Sequence, residues 1–318
     1  MSFLLIVGLY ATWTSSFAIG KMTLLYTSPI FITSIRMLLA GFILIAFLYI
    51  RKRKNLKITL SQLFPILILA VLSIYLTNIL EFWGLQHLSA GKTCFIYSLS
   101  PFFSAIFSYL HFKEKMNLKK SIGMIIGFIG FIPVLLVQSG SENLFGGISF
   151  ISWPELAVMG AALFSVYGWV LLRILVKKNS LSPITANGYS MLIGGAIALI
   201  HSLLVDKWSP TPIVAGGVFP VIQGTLVLTF LSNIVCYNLY GWLLKKYTAT
   251  FLSFVGLLSP FFASLTGYIF LGESPSWIIF ASTIVVGPGL LLVYQAELKQ
   301  GYIVKKAKLN KVALPEAS

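Results

Sequence analysis

The sequence predicts an all-α integral membrane protein, with ten transmembrane helices arranged as two inverted five-helix repeats. Three observations carry that prediction. Hydrophobic residues make up 58% of the 318 and charged residues only 10%, with a mean hydropathy of +0.92. A soluble domain is charged at roughly a quarter of its positions, so the solvent of this chain is lipid. Ten apolar runs follow one another, each long enough at about 18–25 residues to cross about 30 Å of hydrocarbon. The chain also repeats itself. Ser100-Pro101-Phe102-Phe103 returns 159 residues later as Ser259-Pro260-Phe261-Phe262, and the same offset carries Trp83 to Trp242, Tyr109 to Tyr268, Glu114 to Glu273 and Gly130 to Gly289. An offset of 154 relates earlier parts of the two halves, taking Ser28-Pro29-Ile30 to Ser182-Pro183-Ile184 and Met37-Leu38 to Met191-Leu192. Repeats with an odd number of spans must lie upside down relative to each other.

The first run, Phe3–Gly20, ends in a passable signal-peptide cleavage site, Ala18-Ile19-Gly20. It lacks a basic leader and matches the sixth run, so it is read as helix 1, with Tyr10 and Trp13 on one face. Helix 2, Ile30–Ile50, holds Arg36. Helix 3, Gln62–Gly84, carries Tyr75, Asn78 and Glu81, the last two three apart and therefore on one face. Helix 4, Ala90–Phe112, contains Tyr97 and is interrupted by Pro101; helix 5, Ser121–Val137, presents Gly123, Gly127 and Gly130. Residues 139–153 form an external loop. Helix 6, Pro154–Val176, brings Tyr167 and Trp169. Helix 7 is Pro183–Val205, and helix 8, Gly217–Leu244, carries Asn233, Tyr237 and Asn238. Helix 9, Ala249–Leu271, is interrupted by Pro260; helix 10, Ser276–Gln295, holds Gly287 and Gly289. The repeats thus span 1–138 and 154–296, and a basic tail occupies 297–318.

Lys and Arg fix the orientation, because cytoplasmic loops collect them. An inside N-terminus puts nearly all 23 of them on one face, beginning with Arg51, Lys52, Arg53, Lys54 and Lys57, and leaves Lys21, Lys92 and Lys207 outside. Both termini are then cytoplasmic in an inner membrane, with the tail against its anionic leaflet. The net charge of +15 points to no nucleic-acid partner, since the bases are dispersed over loops and form no basic face.

Polar groups within lipid are costly and mark candidate sites. Of eight acids, only Glu81 lies clearly inside a span. Glu81 and Arg36 come at similar depths in the outer half. Either they form an ion pair that locks helices 2 and 3, or Glu81 serves as a substrate or proton site. At the two offsets their mates are Tyr240 and Ser190, so both charges occur in one half alone. The candidate substrate-binding set is Glu81, Asn78, Tyr10, Trp13, Tyr97, Tyr167, Tyr237 and Asn238. Aromatic faces beside a carboxylate suit a cation or a planar base. Arg36, Pro101 and Pro260 are candidates for structural or gating roles, matched prolines being typical of interrupted helices along a transport pathway. The glycines of helices 5 and 10 provide close packing surfaces, or contacts of a homodimer. Cys94 and Cys236 lie in spans and suggest packing. His87, His111 and His201 are scattered, so no metal site is expected. No phosphate-binding glycine loop occurs, and no nucleophile and base are paired as an enzyme requires.

Ten helices in inverted halves, Trp13 in helix 1, Pro29 followed by Arg36 in helix 2, and Pro101 and Pro260 followed by Glu114 and Glu273 at the helix ends resemble the EamA family of the drug/metabolite transporter superfamily. The resemblance covers nearly the whole chain, to about Gln295. It implies a secondary transporter without enzymatic activity or cofactor, and it carries over Trp13, Arg36, Pro101 and Pro260. Relatives move amino acids, other metabolites or drugs, and some in host-dependent bacteria take up S-adenosylmethionine. That substrate, imported or exchanged, suits Glu81, Arg36 and the aromatic set and is the leading expectation. An amino-acid or drug exporter is the alternative, and a non-transporting membrane scaffold is the alternative of another class.

Overall fold

A computed structural model describes residues 2–51, 56–113, 116–136, 141–148, 150–177, 181–245, 247, 252–253, 256, 259–274 and 276–299. The polypeptide is helical almost throughout. In chain order the rods are α1 (Ser2–Leu24), α2 (Pro29–Arg51), α3 (Leu60–His87), α4 (Ala90–Ile96 continuing through Ser100–Phe112), α5 (Leu118–Leu135) and α6 (Trp153–Lys177), then α7 (Pro183–Val205), α8 (Val218–Leu243), α9 (Ser259–Leu271) and α10 (Trp277–Lys299). Among the described residues, seven helical segments are long and apolar enough to cross a membrane; they belong to α2, α3, α4, α6, α7, α8 and α10. The protein is an all-helical integral membrane protein. Its surface has the sense lipid demands: Phe42, Leu204, Phe219 and Ile284 are exposed, whereas Thr33, Ser34, Arg36, Asn78 and Asn187 are buried. Glu114, Ala249 and the tail from 300 onward lie outside the described residues.

Local sequence sets the rod ends. Ser89 caps α4 by accepting from the Lys92 amide at 3.1 Å, and Asn117 caps α5 through the Lys120 amide at 2.9 Å. Ser152 and Glu155 form a reciprocal box at the start of α6: Glu155 Oε2 accepts from the Ser152 amide at 2.6 Å, while the Glu155 amide donates back to Ser152 Oγ. Such side chains satisfy the first-turn N–H groups that have no intrahelical partner. The external loop departs from the all-α expectation, because Gly147–Ile148 pairs antiparallel with Ile151–Ser152 in a short hairpin.

Two departures from α-helix were not anticipated. Residues Ala70–Leu76 of α3 and Thr229–Cys236 of α8 wind as π-helix. Each wide turn disturbs the regular ladder of carbonyl acceptors, and each is stitched by an asparagine. Asn78 Nδ2 donates to the carbonyls of Ser73 (3.3 Å) and Ile74 (2.7 Å). Asn238 Nδ2 does the same to Asn233 (3.5 Å) and Ile234 (2.8 Å). The expected interruption of α4 occurs as a 3₁₀ turn, Tyr97–Leu99, directly before Pro101. Proline has no N–H to offer, and the Ser100 amide bonds the Tyr97 carbonyl. α9 starts at Ser259 with Pro260 in its first turn.

Glycine lets particular rods approach at backbone distance. α2 lies along α7, where a Cβ on Gly41 would sit 2.7 Å from the Leu192 amide nitrogen. α5 lies along α10, where a Cβ on Gly289 would sit 2.6 Å from the Gly123 carbonyl. The Gly123 and Gly289 surfaces are therefore occupied within one chain. Gly287, expected on the same surface, has open space around it. Further contacts join α3 to α6 and α7, α8 to α1 and α2, α4 to α6 and α9, and α1 to α9.

The loops expected outside are tied to one another. Lys21 Nζ donates to Glu273 Oε1 and to the Leu88 carbonyl, both at 2.6 Å, and the Ala90 amide donates to Glu273 Oε2 at 2.9 Å. Lys92 pairs with Glu155 at 2.7 Å, both side chains buried. Ser28 Oγ donates to Asp206 at 2.6 Å, Thr27 bridges to Ile213, and the Ser141 amide donates to the His87 carbonyl.

Candidate functional site

Between the rods lies a cavity of mixed lining, largely apolar and aromatic with buried polar and charged groups, contributed by α1, α2, α3, α4, α6, α8 and the stretch leading into α9. The π turn of α3 precedes Asn78 and Glu81, which face it together, as their spacing requires. Glu81 is half-buried and accepts a hydrogen bond from Tyr97 Oη at 2.6 Å. Tyr97 owes its position to the 3₁₀ turn before Pro101, and Ser100 and Ser259, the residues before the two matched prolines, also line the cavity. Pro101 and Pro260 themselves are buried beside it.

Arg36 also lines the cavity, but the close ion pair with Glu81, one of the two alternatives, is not made. An Nη of Arg36 donates to Asn78 Oδ1, and the guanidinium carbon sits 4.2 Å from the centre of the Phe82 ring. Among the described residues no carboxylate oxygen lies within 4.0 Å of it. The partner is displaced by one turn of α3: Asn78 meets Arg36, and the Glu81 carboxylate turns to Tyr97. Between α7 and α8, Asn187 Nδ2 donates to Asn238 Oδ1 at 3.1 Å.

The same cavity is lined by a cluster of four rings. Trp13 lies 5.7 Å from Trp169, 5.4 Å from Tyr237 and 5.7 Å from Tyr240 between ring centres. Trp169 lies 5.1 Å from Tyr237 and 4.4 Å from Tyr240. Tyr10 closes one side by donating to the Leu252 carbonyl at 2.7 Å. All five line the cavity.

Two of the anticipated site residues do not line it. Tyr167 contacts α4, its hydroxyl 3.3 Å from His111 Nε2 and its ring 5.2 Å from that of Phe107. Asn238 is occupied by the π turn of α8 and by Asn187. Trp169 and Tyr240 take their places in the cavity. Tyr240 was legible as the mate of Glu81 at the offset of 159; Trp169 had no such signal, because repeat alignment gives Trp13 the mate Tyr167, two residues away. The small hydroxyls Thr14, Ser100, Ser232 and Ser259 were also missed, since Ser and Thr occur throughout the spans.

The EamA-like transporter family matches residues 1–136 and 152–295. An S-adenosylmethionine/S-adenosylhomocysteine transporter of Chlamydia trachomatis serovar L2 is 41% identical over 294 residues, covering 92% of this chain and 88% of the relative. The protein of the same description in Chlamydia muridarum is 40% identical, covering 92% and 91%. More distant is the WAT1-related protein At3g02690, chloroplastic, of Arabidopsis thaliana, at 27% identity over 88% of this chain and 65% of its own. One solved crystal structure superposes with a TM-score of 0.66 at 16% identity, over 94% of this chain and 98% of the other, and so shares the fold. With both halves of its length matched, the chain belongs to the EamA-like transporter family.

Proposed function

We propose that this protein carries S-adenosylmethionine and S-adenosylhomocysteine across the inner membrane by alternating access, the central cavity being the substrate site. The observation that carries this proposal is the half-buried Glu81 carboxylate, held by Tyr97, sharing one cavity with the four-ring cluster of Trp13, Trp169, Tyr237 and Tyr240. A purine stacks on such rings, and the carboxylate suits a cationic group that the two compounds share. Glu81, Asn78, Tyr10, Trp13, Tyr97 and Tyr237 contact substrate; Tyr167 and Asn238 support the walls from behind. Relatives with 40–41% identity described as carriers of these two compounds support the same substrate class.

The accompanying architecture is ten spans in two inverted repeats, 1–138 and 154–296, with both termini cytoplasmic. Several features support it. Major rod contacts match in pairs when each helix is exchanged for the one five places on: α3 with α6 answers α8 with α1, α1 with α9 answers α6 with α4, and α3 with α7 answers α8 with α2. The two π turns begin at equivalent places, 159 residues apart, and each is stitched by an asparagine, the second one residue further along. In this arrangement the Lys21–Glu273 and Lys92–Glu155 pairs close the outer side, and alternating access requires them to part.

Uptake of a labelled metabolite panel into cells making the protein, with and without a pH gradient, tests the proposal. Saturable S-adenosylmethionine uptake inhibited by S-adenosylhomocysteine is expected. Movement of amino acids alone would favour an exporter of that class, and movement of nothing in the panel would favour a scaffold.

A further inference from the structure

The two compounds of the proposed substrate pair differ at sulfur: one is a sulfonium cation, the other a neutral thioether. What they share is an adenosine and an α-amino acid, with its carboxylate and ammonium. A site that accepts both therefore cannot depend on the sulfonium charge, and must hold the common parts. The ring box accounts for the adenine and Glu81 for the ammonium, which leaves the carboxylate.

Arg36 is the group in the cavity that suits it. The side chain is only 2% exposed, yet no carboxylate lies within 4.0 Å among the described residues. Its Nε has no hydrogen-bond partner. A buried guanidinium is ordinarily paired, because leaving a charge unmatched in a low-dielectric interior is costly. Here the residues that hold it are neutral: Asn78 through one Nη and Phe82 through its ring face. These contacts fix the plane of the guanidinium without neutralising it. Glu81 acts on it only from beyond contact distance, its carboxylate accepting the hydrogen bond of Tyr97. The fork of an arginine matches a carboxylate better than any other side chain does.

We infer that Arg36 is the specificity-determining anchor for the substrate α-carboxylate, with Glu81 taking the ammonium, so that the amino-acid head is read between α2 and α3 while the adenine lies in the ring box. This rests on the transport proposal above. The site should consequently reject nucleosides and thioethers that lack the carboxylate even when the ammonium and adenine are retained.

The test uses the full chain in liposomes and measures inhibition of labelled S-adenosylmethionine uptake by S-adenosylhomocysteine and by its decarboxylated analogue, 5′-deoxy-5′-(3-aminopropylthio)adenosine. With the wild-type protein the analogue should inhibit at least about tenfold more weakly, the scale of a lost charge-assisted hydrogen bond. In Arg36→Gln the inhibition by S-adenosylhomocysteine should weaken by a similar factor, while that by the analogue should change less than about twofold, the two effects being coupled through one contact. Equal inhibition by both compounds in the wild type overturns the inference, and needs no variant to fold. Equal weakening of both in Arg36→Gln also overturns it, and returns Arg36 to the role of a packing residue. Absence of any S-adenosylmethionine uptake by the wild type overturns the transport proposal itself, and this inference with it.

Discussion

Glu81 and Arg36 illustrate what a single sequence reveals at the residue scale. A lone acid and a lone arginine in lipid-facing runs stand out by composition, and both do line the cavity. Their partners were not legible, because a helical pitch of about 5.4 Å lets a buried cation choose between groups one turn apart, and here Asn78 was nearer. This changes the expected behaviour of variants. Glu81→Gln should yield a folded protein whose S-adenosylmethionine uptake falls by about tenfold or more, the worth of a buried charge-assisted contact. A second change, Arg36→Gln, should not restore it, since the two charges do not neutralise each other directly; recovery in the double variant would reinstate the pair. Tyr167→Phe should leave uptake within about twofold, as expected for a position outside the cavity, and initial rates in the same liposomes decide this.

At the scale of the element, the apolar runs lie within a few residues of the described rods except at α9, where the run begins at Ala249 and the described helix at Ser259; the break in α4 falls just before Pro101. The π turns were invisible. Each adds a residue to one turn, and in a rod apolar on all sides no amphipathic stripe shifts to betray it. Their importance is measurable through the asparagine stitches. Asn78→Ala leaves the carbonyls of Ser73 and Ile74 without its amide and removes the neutral partner of Arg36, and should destabilise the detergent-solubilised protein by about 1–3 kcal/mol; unchanged thermal unfolding would show that the π turn stands alone. The glycine faces of α5 and α10 were legible as packing surfaces, and the structure uses them between those two rods. Gly289→Val forces a side chain against the Gly123 carbonyl and should cost about 1–3 kcal/mol, typical of overpacking, read as a lower melting temperature.

For the whole molecule, lysine and arginine bias predicts an orientation with Lys21 and Lys92 outside, and the structure pairs these two lysines with Glu273 and Glu155 respectively. Cysteines introduced at Ser141 and Ser276 should react with an impermeant thiol reagent from outside; reaction only after permeabilisation would invert the topology. The substrate was beyond composition and periodicity, because nothing in an apolar pattern encodes which polar solute a few buried side chains will hold. The measurement that bears most directly on the central claim is counterflow in liposomes loaded with unlabelled S-adenosylhomocysteine. Wild-type protein should accelerate entry of labelled S-adenosylmethionine over unloaded liposomes, and Glu81→Gln should abolish that acceleration. Entry that is indifferent to internal S-adenosylhomocysteine and to the state of residue 81 would contradict both the substrate and the site.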